Sequence, residues 1–181
     1  MIVSKIDGNS ADITAELLRE KKIVIIPTDT IYGFSGIMPE TADKIAAIKG
    51  RNASKQFIAL IAKPEDYKKY TDISIPQKFL SLWPGPLTLI MRLKNGNTQA
   101  FRCPNDNWLR EVVEKTGKPI YSTSANRSGF PPLTDIEEIK QEFQQDVSLI
   151  VDAGKITGLA STIVDISGSE PKLLRQGAIV L

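Results

Sequence analysis

Histidine is absent from this sequence of 181 residues, and cysteine occurs once, as Cys103. Without histidine there is no Ser-His-Asp or Cys-His catalysis, and a zinc centre built from three or four Cys or His ligands is excluded too. Any metal is then a hard cation held by oxygens or by a substrate's own phosphates. A single thiol makes no internal disulfide, in keeping with a reducing compartment. No run of about 18 apolar residues is present to span a bilayer, and the opening MIVSKIDGNS lacks the apolar stretch of a signal peptide. The expectation is a soluble, cytoplasmic protein with no membrane partner. Charge of one sign is scarce as well: 23 Lys and Arg against 21 Asp and Glu leave +2, with no long block of either. Extended electrostatic binding of nucleic acid is not indicated.

What the sequence does contain is material for a core. Hydrophobic residues make up 41% of the chain, and a chain of this length buries roughly 70% of its unfolded surface. That suffices for one domain over residues 1–181 without staples. Ile13, Leu17 and Leu18 share a helical stripe over residues 10–20, with Ser10 as the N-cap and Lys21 and Lys22 at the negative end of the dipole. Ile23 to Ile26 reads as a strand buried on both faces, stopped by Pro27, and residues 27–34 as the loop leaving it. Ala42, Ile45, Ala46 and Ile48 predict a second helix ending near Gly50, and Ile58 to Ile61 a second strand. Short helices follow Pro64 and Pro76. Trp83-Pro84-Gly85-Pro86 precedes a strand over 87–93, which Asn95-Gly96 turns back into an antiparallel strand near 100–102. Residues 107–116 fit a helix closed by Gly117, and 119–121 a short strand running into Ser122 to Asn126. Thr134 to Glu137 has the spacing of a capping box before the last helix. Strands near 149–151, 162–166 and 173–175 complete an α/β domain: a twisted mixed parallel and antiparallel sheet with flanking helices.

Known phosphate-binding motifs are missing. There is no G-x-x-x-x-G-K-[ST], and Ala153 to Thr157 is only a near miss. The candidates are instead polar loops after buried strands, where ligands bind in open α/β sheets. Residues 27–34, PTDTIYGF, offer the hydroxyls of Thr28, Thr30 and Tyr32 and the carboxylate of Asp29; the structural alternative is a capped turn with Tyr32 in the core. Lys49-Gly50-Arg51 brackets a glycine with two cations, which is either an anion site or a helix C-cap with exposed, dipole-friendly charges. Ser122 to Asn126 is a row of hydroxyl and amide groups, or else an N-cap cluster, although the Gly- and Pro-rich stretch after it is a poor helix.

These loops, with WPGPLTLIM at 83–91, Arg-x-Pro at 102–104, STSAN at 122–126, STIVDI at 161–166 and LRQGAI at 174–179, stand in an order and spacing that resemble the YrdC family, the threonylcarbamoyl-AMP synthases of tRNA modification. The resemblance implies that fold around a large electropositive cavity. It implies that Lys49, Arg51, Ser124 and Asn126 are catalytic and bind ATP, together with Ser122 and Arg175, and that Thr28, Thr30, Tyr32 and Ser161 bind threonine. Thr88 and Arg102 are further cavity candidates. The implied substrates are ATP, L-threonine and bicarbonate, with Mg2+ held by the phosphates and no protein metal ligands. The implied activity is that of a nucleotidyltransferase releasing diphosphate, with tRNA threonylcarbamoyl transferase proteins as partners; contact with tRNA itself is left open. A carbamate nucleophile arrives already charged, which accords with a chain that has no histidine base. Two positions depart from the family: Asn52 replaces the usual proline after K-x-R, and Leu60 stands where long-chain relatives carry a histidine. With LRQGAI ending at 179, the expectation is a single YrdC-like domain without the long form's additional C-terminal domain. A non-catalytic nucleotide- or RNA-binding module and a diverged paralogue are the rival readings, against which Ser124-Ala125-Asn126 favours the synthase.

Overall fold

The run from Ile23 to Ile26 is apolar at every position because its two faces meet different cores. Ile23 and Ile25 join a cluster with Phe34, Ile45 and Phe143, whereas Val24 and Ile26 join one with Leu18, Leu109 and Val112. This is the two-residue period of a strand covered on both sides. The computed structural model describes residues 1–50 and 56–181; Arg51, Asn52 and Lys55 lie outside the described residues. In chain order the elements are β1 (Ile2–Ser4), α1 (Ser10–Arg19), β2 (Val24–Ile26), β3 (Gly33–Ile37), α2 (Ala42–Lys49), β4 (Ile58–Leu60), a 3-10 helix (Pro64–Lys69), α3 (Gln77–Leu80), β5 (Leu87–Arg92), β6 (Thr98–Arg102), α4 (Asn107–Thr116), β7 (Ile120–Ser124), α5 (Ile136–Phe143), β8 (Leu149–Asp152), β9 (Thr162–Asp165) and β10 (Lys172–Arg175).

The strands form one sheet of ten in the order β1-β8-β2-β3-β7-β4-β6-β5-β9-β10. Pairs β1–β8, β2–β8, β4–β6 and β5–β9 are parallel and the others antiparallel. Leu18 of α1 and Leu109, Val112 and Val113 of α4 pack on one face; Ile45 of α2 and Ile139 and Phe143 of α5 pack on the other. A third cluster joins Leu87, Leu89, Phe101 and Val164 to Tyr67, Phe79 and Trp83. The mixed α/β sheet read from the sequence is thus the observed architecture.

Some details differ. Ser10 is the first residue of α1 rather than its cap; its hydroxyl donates to the Lys5 carbonyl and accepts from Trp108 Nε1, which commits it elsewhere. Residues 33–37 form a strand rather than the end of a loop. Gly33-Phe34-Ser35-Gly36 carries little strand propensity, but a side chain at Gly33 would lie 2.9 Å from Ser122 Oγ and 3.0 Å from the Thr123 carbonyl, so the close β3–β7 pairing requires glycine there. Strand β7 runs on to Ser124, which puts Ser122, Thr123 and Ser124 in the ladder instead of a loop. The cap of α5 is Asp135, accepting from the Glu137 amide at 2.9 Å, not Thr134. Strand β1, unforeseen in the sequence, pairs with β8 at the sheet's edge. Gly50 and Gly117 close α2 and α4 in the left-handed region, at φ 62° and 79°.

Phe143 meets Phe34 edge to face with ring centres 4.8 Å apart and is fully buried. Phe143→Ala is expected to lower the unfolding free energy by about 3–5 kcal/mol, read from a urea titration. A loss below about 1 kcal/mol would mean that α5 contributes little to the core.

Candidate active site

Strand β2 stops at Pro27, which offers no ladder N–H, and the next residues fold on themselves. Thr28 Oγ1 accepts from the amides of Thr30 and Ile31, each at 3.1 Å, and donates to the Ile31 carbonyl at 2.7 Å. Its hydroxyl lies 2.9 Å from that of Thr30. The capped turn is therefore present, and it presents both threonines to a cavity instead of replacing a site. Arg102, at the end of β6, donates to Thr30 Oγ1 at 3.0 Å and stands 3.2 Å from Asp29 Oδ1. The other Asp29 oxygen accepts from the Asn105 amide. Arg102 Nε has no hydrogen-bond acceptor among the described residues. Burial pulls the Arg102 guanidinium below its ordinary value; Asp29 opposes the shift and the charge of Arg175 adds to it. Partial desolvation of its guanidinium lowers Arg175 in the same direction although β10 itself is exposed, yet a guanidinium stays protonated in proteins.

Arg175, from β10, donates through Nε and Nη2 to the Ser161 carbonyl at 3.0 and 2.8 Å, and through Nη2 to Ser161 Oγ at 3.2 Å. Thr88 Oγ1 lies 2.8 Å from the same Ser161 Oγ. Lys49 Nζ leaves the end of α2 and donates to the carbonyls of Ser124 and Asn126 at 2.5 and 2.9 Å and to Asn126 Oδ1 at 3.1 Å. Ser124 Oγ donates to that same Oδ1, and Asn126 Nδ2 to the carbonyls of Arg127 and Phe130. Lys49 is only 3% exposed, so the reading of an exposed helix-end cation fails for it. Gly50 closes the helix while the ammonium crosses to a different loop. Arg51, the other half of that reading, lies outside the described residues.

Thr28, Thr30, Arg102, Ser122, Ser124, Ser161 and Arg175 together line a cavity of about 240 Å³. Two of these are cations, and no carboxylate belongs to the described lining. Ile120, Ser122 and Ser124 share one face of β7; Ile120 is covered by the α1 and α4 core, and the two serines face the cavity. Leu60 of β4 lines the cavity beside Ile58 and Ile163, which adds an apolar side absent from the sequence reading. Thr88, Lys49 and Asn126 stand behind this wall, bonded to residues that form it or follow it. Tyr32 is different: its ring belongs to the core with Phe34 and Ala125, and its hydroxyl donates to the Gly154 carbonyl and accepts from the Ala153 amide. It does not line the cavity but ties the near-miss loop at 153–157 to residues 28–32, and burial raises its pKa. Asp29 is the one carboxylate of residues 27–34, a candidate there to which the family resemblance gives no role; its partner Arg102 is too distant in sequence for spacing to reveal the pair.

The family model of the Sua5, YciO and YrdC proteins, described as Telomere recombination, matches residues 16–177. The chain belongs to the Sua5/YciO/YrdC family. Within it, the threonylcarbamoyl-AMP synthase of Pyrococcus abyssi is 34% identical over 185 residues, covering 93% of this chain and 54% of the relative. The threonylcarbamoyl-AMP synthase of Photobacterium profundum is 27% identical, covering 88% of this chain and 95% of the relative. The crystal structure of P. abyssi Sua5 complexed with L-threonine matches with a TM-score of 0.88 at 30% identity, over 98% of this chain and 57% of that one. The chain therefore spans about half the length of the archaeal relative. Among the described residues of this Sua5/YciO/YrdC protein, no group of three or more His, Cys, Asp or Glu could hold a metal ion, and no helix is long and apolar enough to cross a membrane. Cys103, next to Arg102, is fully buried, and desolvation pushes its thiol up to about 12.

The Asp29–Arg102 pair gives a stability test. Asp29→Asn leaves a buried cation without its counter-charge and is expected to cost about 3 kcal/mol in a urea titration. Combined with Arg102→Met it should cost less than the two single changes added together. Strict additivity would show that the two side chains do not depend on each other.

Proposed function

We propose that this protein is a threonylcarbamoyl-AMP synthase, a nucleotidyltransferase that joins L-threonine, bicarbonate and ATP. The observation that carries the reading is the pair of guanidinium groups, Arg102 and Arg175, facing one cavity with serine and threonine hydroxyls close by and no carboxylate in its described lining. The family's members that bear this name, one of them matched over 95% of its length, and a related structure with L-threonine bound support it.

The threonine amine and bicarbonate give a carbamate and water. A carbamate oxygen then attacks the α-phosphorus of ATP, the bond from that phosphorus to the β-bridging oxygen breaks, and diphosphate leaves with the electron pair. The nucleophile is an anion before it reaches phosphorus, so this step needs positioning and neutralisation of charge more than a base. Arg102, buried at the cavity wall, supplies fixed positive charge where it acts more strongly than in bulk solvent, and Arg175, on the exposed strand β10, adds a second cation to the lining. Arg51, on the strength of the family resemblance, adds a third guanidinium for phosphate oxygens. Lys49 holds the Ser124 and Asn126 carbonyls and so shapes the loop that orients the nucleotide. Magnesium enters with ATP as part of the substrate, on phosphate oxygens and water. Thr28 and Thr30 receive the amino acid, with Ile58, Leu60 and Ile163 as apolar surface for its methyl group. The reading implies a cytoplasmic enzyme that works with transferase proteins acting on tRNA.

Incubated with ATP, magnesium, L-threonine and bicarbonate, the protein should form threonylcarbamoyl-AMP and diphosphate, detected by mass spectrometry and a coupled diphosphate assay. Diphosphate release that is unchanged when threonine is omitted overturns the reading, and ATP binding without release would favour the binding-module alternative. Substrate analogues refine the test. Losing a methyl group from a pocket costs roughly 1–3 kcal/mol, whereas losing a hydroxyl that the site hydrogen-bonds costs more. In kcat/KM, serine should fall below threonine and 2-aminobutyrate below serine. A value for 2-aminobutyrate equal to that of threonine would show that the cavity does not read the hydroxyl.

A further inference from the structure

Thr88 is a fully buried hydroxyl near the start of β5, with no exposed surface of its own. The only hydrogen-bond partner of Thr88 Oγ1 among the described residues is Ser161 Oγ, at 2.8 Å. The two meet because β5 and β9 run parallel, with Leu87 opposite Thr162 and the Thr162 amide donating to the Pro86 carbonyl, which places Ser161 at the mouth of the ladder. The direction of this bond is fixed by counting protons and lone pairs. A buried hydroxyl proton without an acceptor is strongly disfavoured, and Thr88 has no acceptor other than Ser161 among the described residues. Thr88 is therefore the donor. Ser161 Oγ accepts a second bond from Arg175 Nη2 at 3.2 Å, and a hydroxyl oxygen has two lone pairs. Both are now occupied. The remaining valence of Ser161 is its own proton, and the residue lines the cavity.

The geometry points to Thr88 as a positioning residue that makes Ser161 an obligatory hydrogen-bond donor toward the cavity. What Ser161 then accommodates is an acceptor, and with Arg175 beside it an anionic oxygen: the carboxylate of the amino acid or a phosphate of the nucleotide. This inference rests on the functional reading given above, and it adds to that reading a polarity set from behind the wall by a residue that touches no substrate. The hydroxyls of the loop after β2 are committed largely within the protein. Thr28 commits its proton to the Ile31 carbonyl, and Thr30 Oγ1 takes the Arg102 bond.

Calorimetric titration of the full chain with L-threonine and, separately, with MgATP tests this. Thr88→Val keeps the side-chain volume and removes the donor; it should weaken binding of one of the two ligands by about 3- to 10-fold, the worth of one hydrogen bond, and leave the other within about 2-fold. A loss for threonine assigns the carboxylate, and a loss for MgATP assigns the phosphate. Thr88→Ser, which retains the hydroxyl, should bind as the wild type does. In a Ser161→Ala background Thr88→Val should add nothing, because its whole effect passes through Ser161. Unchanged binding by Thr88→Val, equal weakening of both ligands, or an effect additive with Ser161→Ala would overturn the inference while leaving the synthase reading intact. A wild-type protein that binds neither ligand overturns that reading and this inference with it. If circular dichroism shows that Thr88→Val does not fold, Thr88→Ala takes its place with the same outcomes.

Discussion

Arg102 carries its charge where only 3% of its surface meets solvent, and the shape of the site follows from how that charge is held. Removing a guanidinium from water costs several kcal/mol, which a neighbouring carboxylate and a hydroxyl acceptor offset only in part. Asp29 supplies that carboxylate and Thr30 an additional acceptor, both from the loop after β2, whereas Arg102 ends β6. Three strands, β3, β7 and β4, separate those two in the sheet. The ion pair thus bridges the middle of the sheet and fixes the loop over it. An apolar pair of similar volume would serve folding at least as well. What only the guanidinium provides is positive charge at the cavity wall.

The Lys49 ammonium does comparable work from the other side. It takes up the carbonyls of Ser124, at the end of β7, and of Asn126, just beyond it, and the segment that follows answers in kind. Arg127 Nη1 donates to the Ile48 carbonyl and the Ser128 amide to that of Lys49, so the last carbonyls of α2 are satisfied by the segment that its final residue organises. Arg127 also pairs with Glu142 and Asp146 and lies over the Phe143 ring. The end of α2, the Ser-x-Asn segment and α5 are therefore tied to one another by hydrogen bonds and ion pairs. Stability and site geometry are linked there, which is why an exposed-charge picture of Lys49 underestimates what the residue holds together.

The parts legible in the sequence are those whose cause is local. Four apolar residues before a proline, the Asn95-Gly96 turn and a helix ended by Gly117 each follow from short-range sterics or from burial on two faces. Strand β3 is not legible, because its glycines are explained by the nearness of β7, a tertiary fact. The same reason hides the extension of β7 through Ser124. For the site, the serine and threonine side chains of the two loops stand out as polar groups after strands, but where each points does not. Tyr32 turns inward to hold the Ala153–Gly154 backbone, and Asp29 meets an arginine far along the chain. Thr88 sits in an apolar strand pattern, where a threonine is ordinary until Ser161 is seen across the ladder.

Cys103 adjoins Arg102 in sequence but faces the third core cluster, sealed from solvent, with Sγ donating to the Ala62 carbonyl at 3.7 Å. Its raised pKa keeps the thiolate fraction small, and the thiolate is the form that reacts. An alkylating reagent can therefore modify the chain only as fast as the region around β6 opens. As this is the protein's one sulfhydryl, its labelling is a clock placed one residue from the buried cation, ticking with the opening of that strand and of the cluster that seals it.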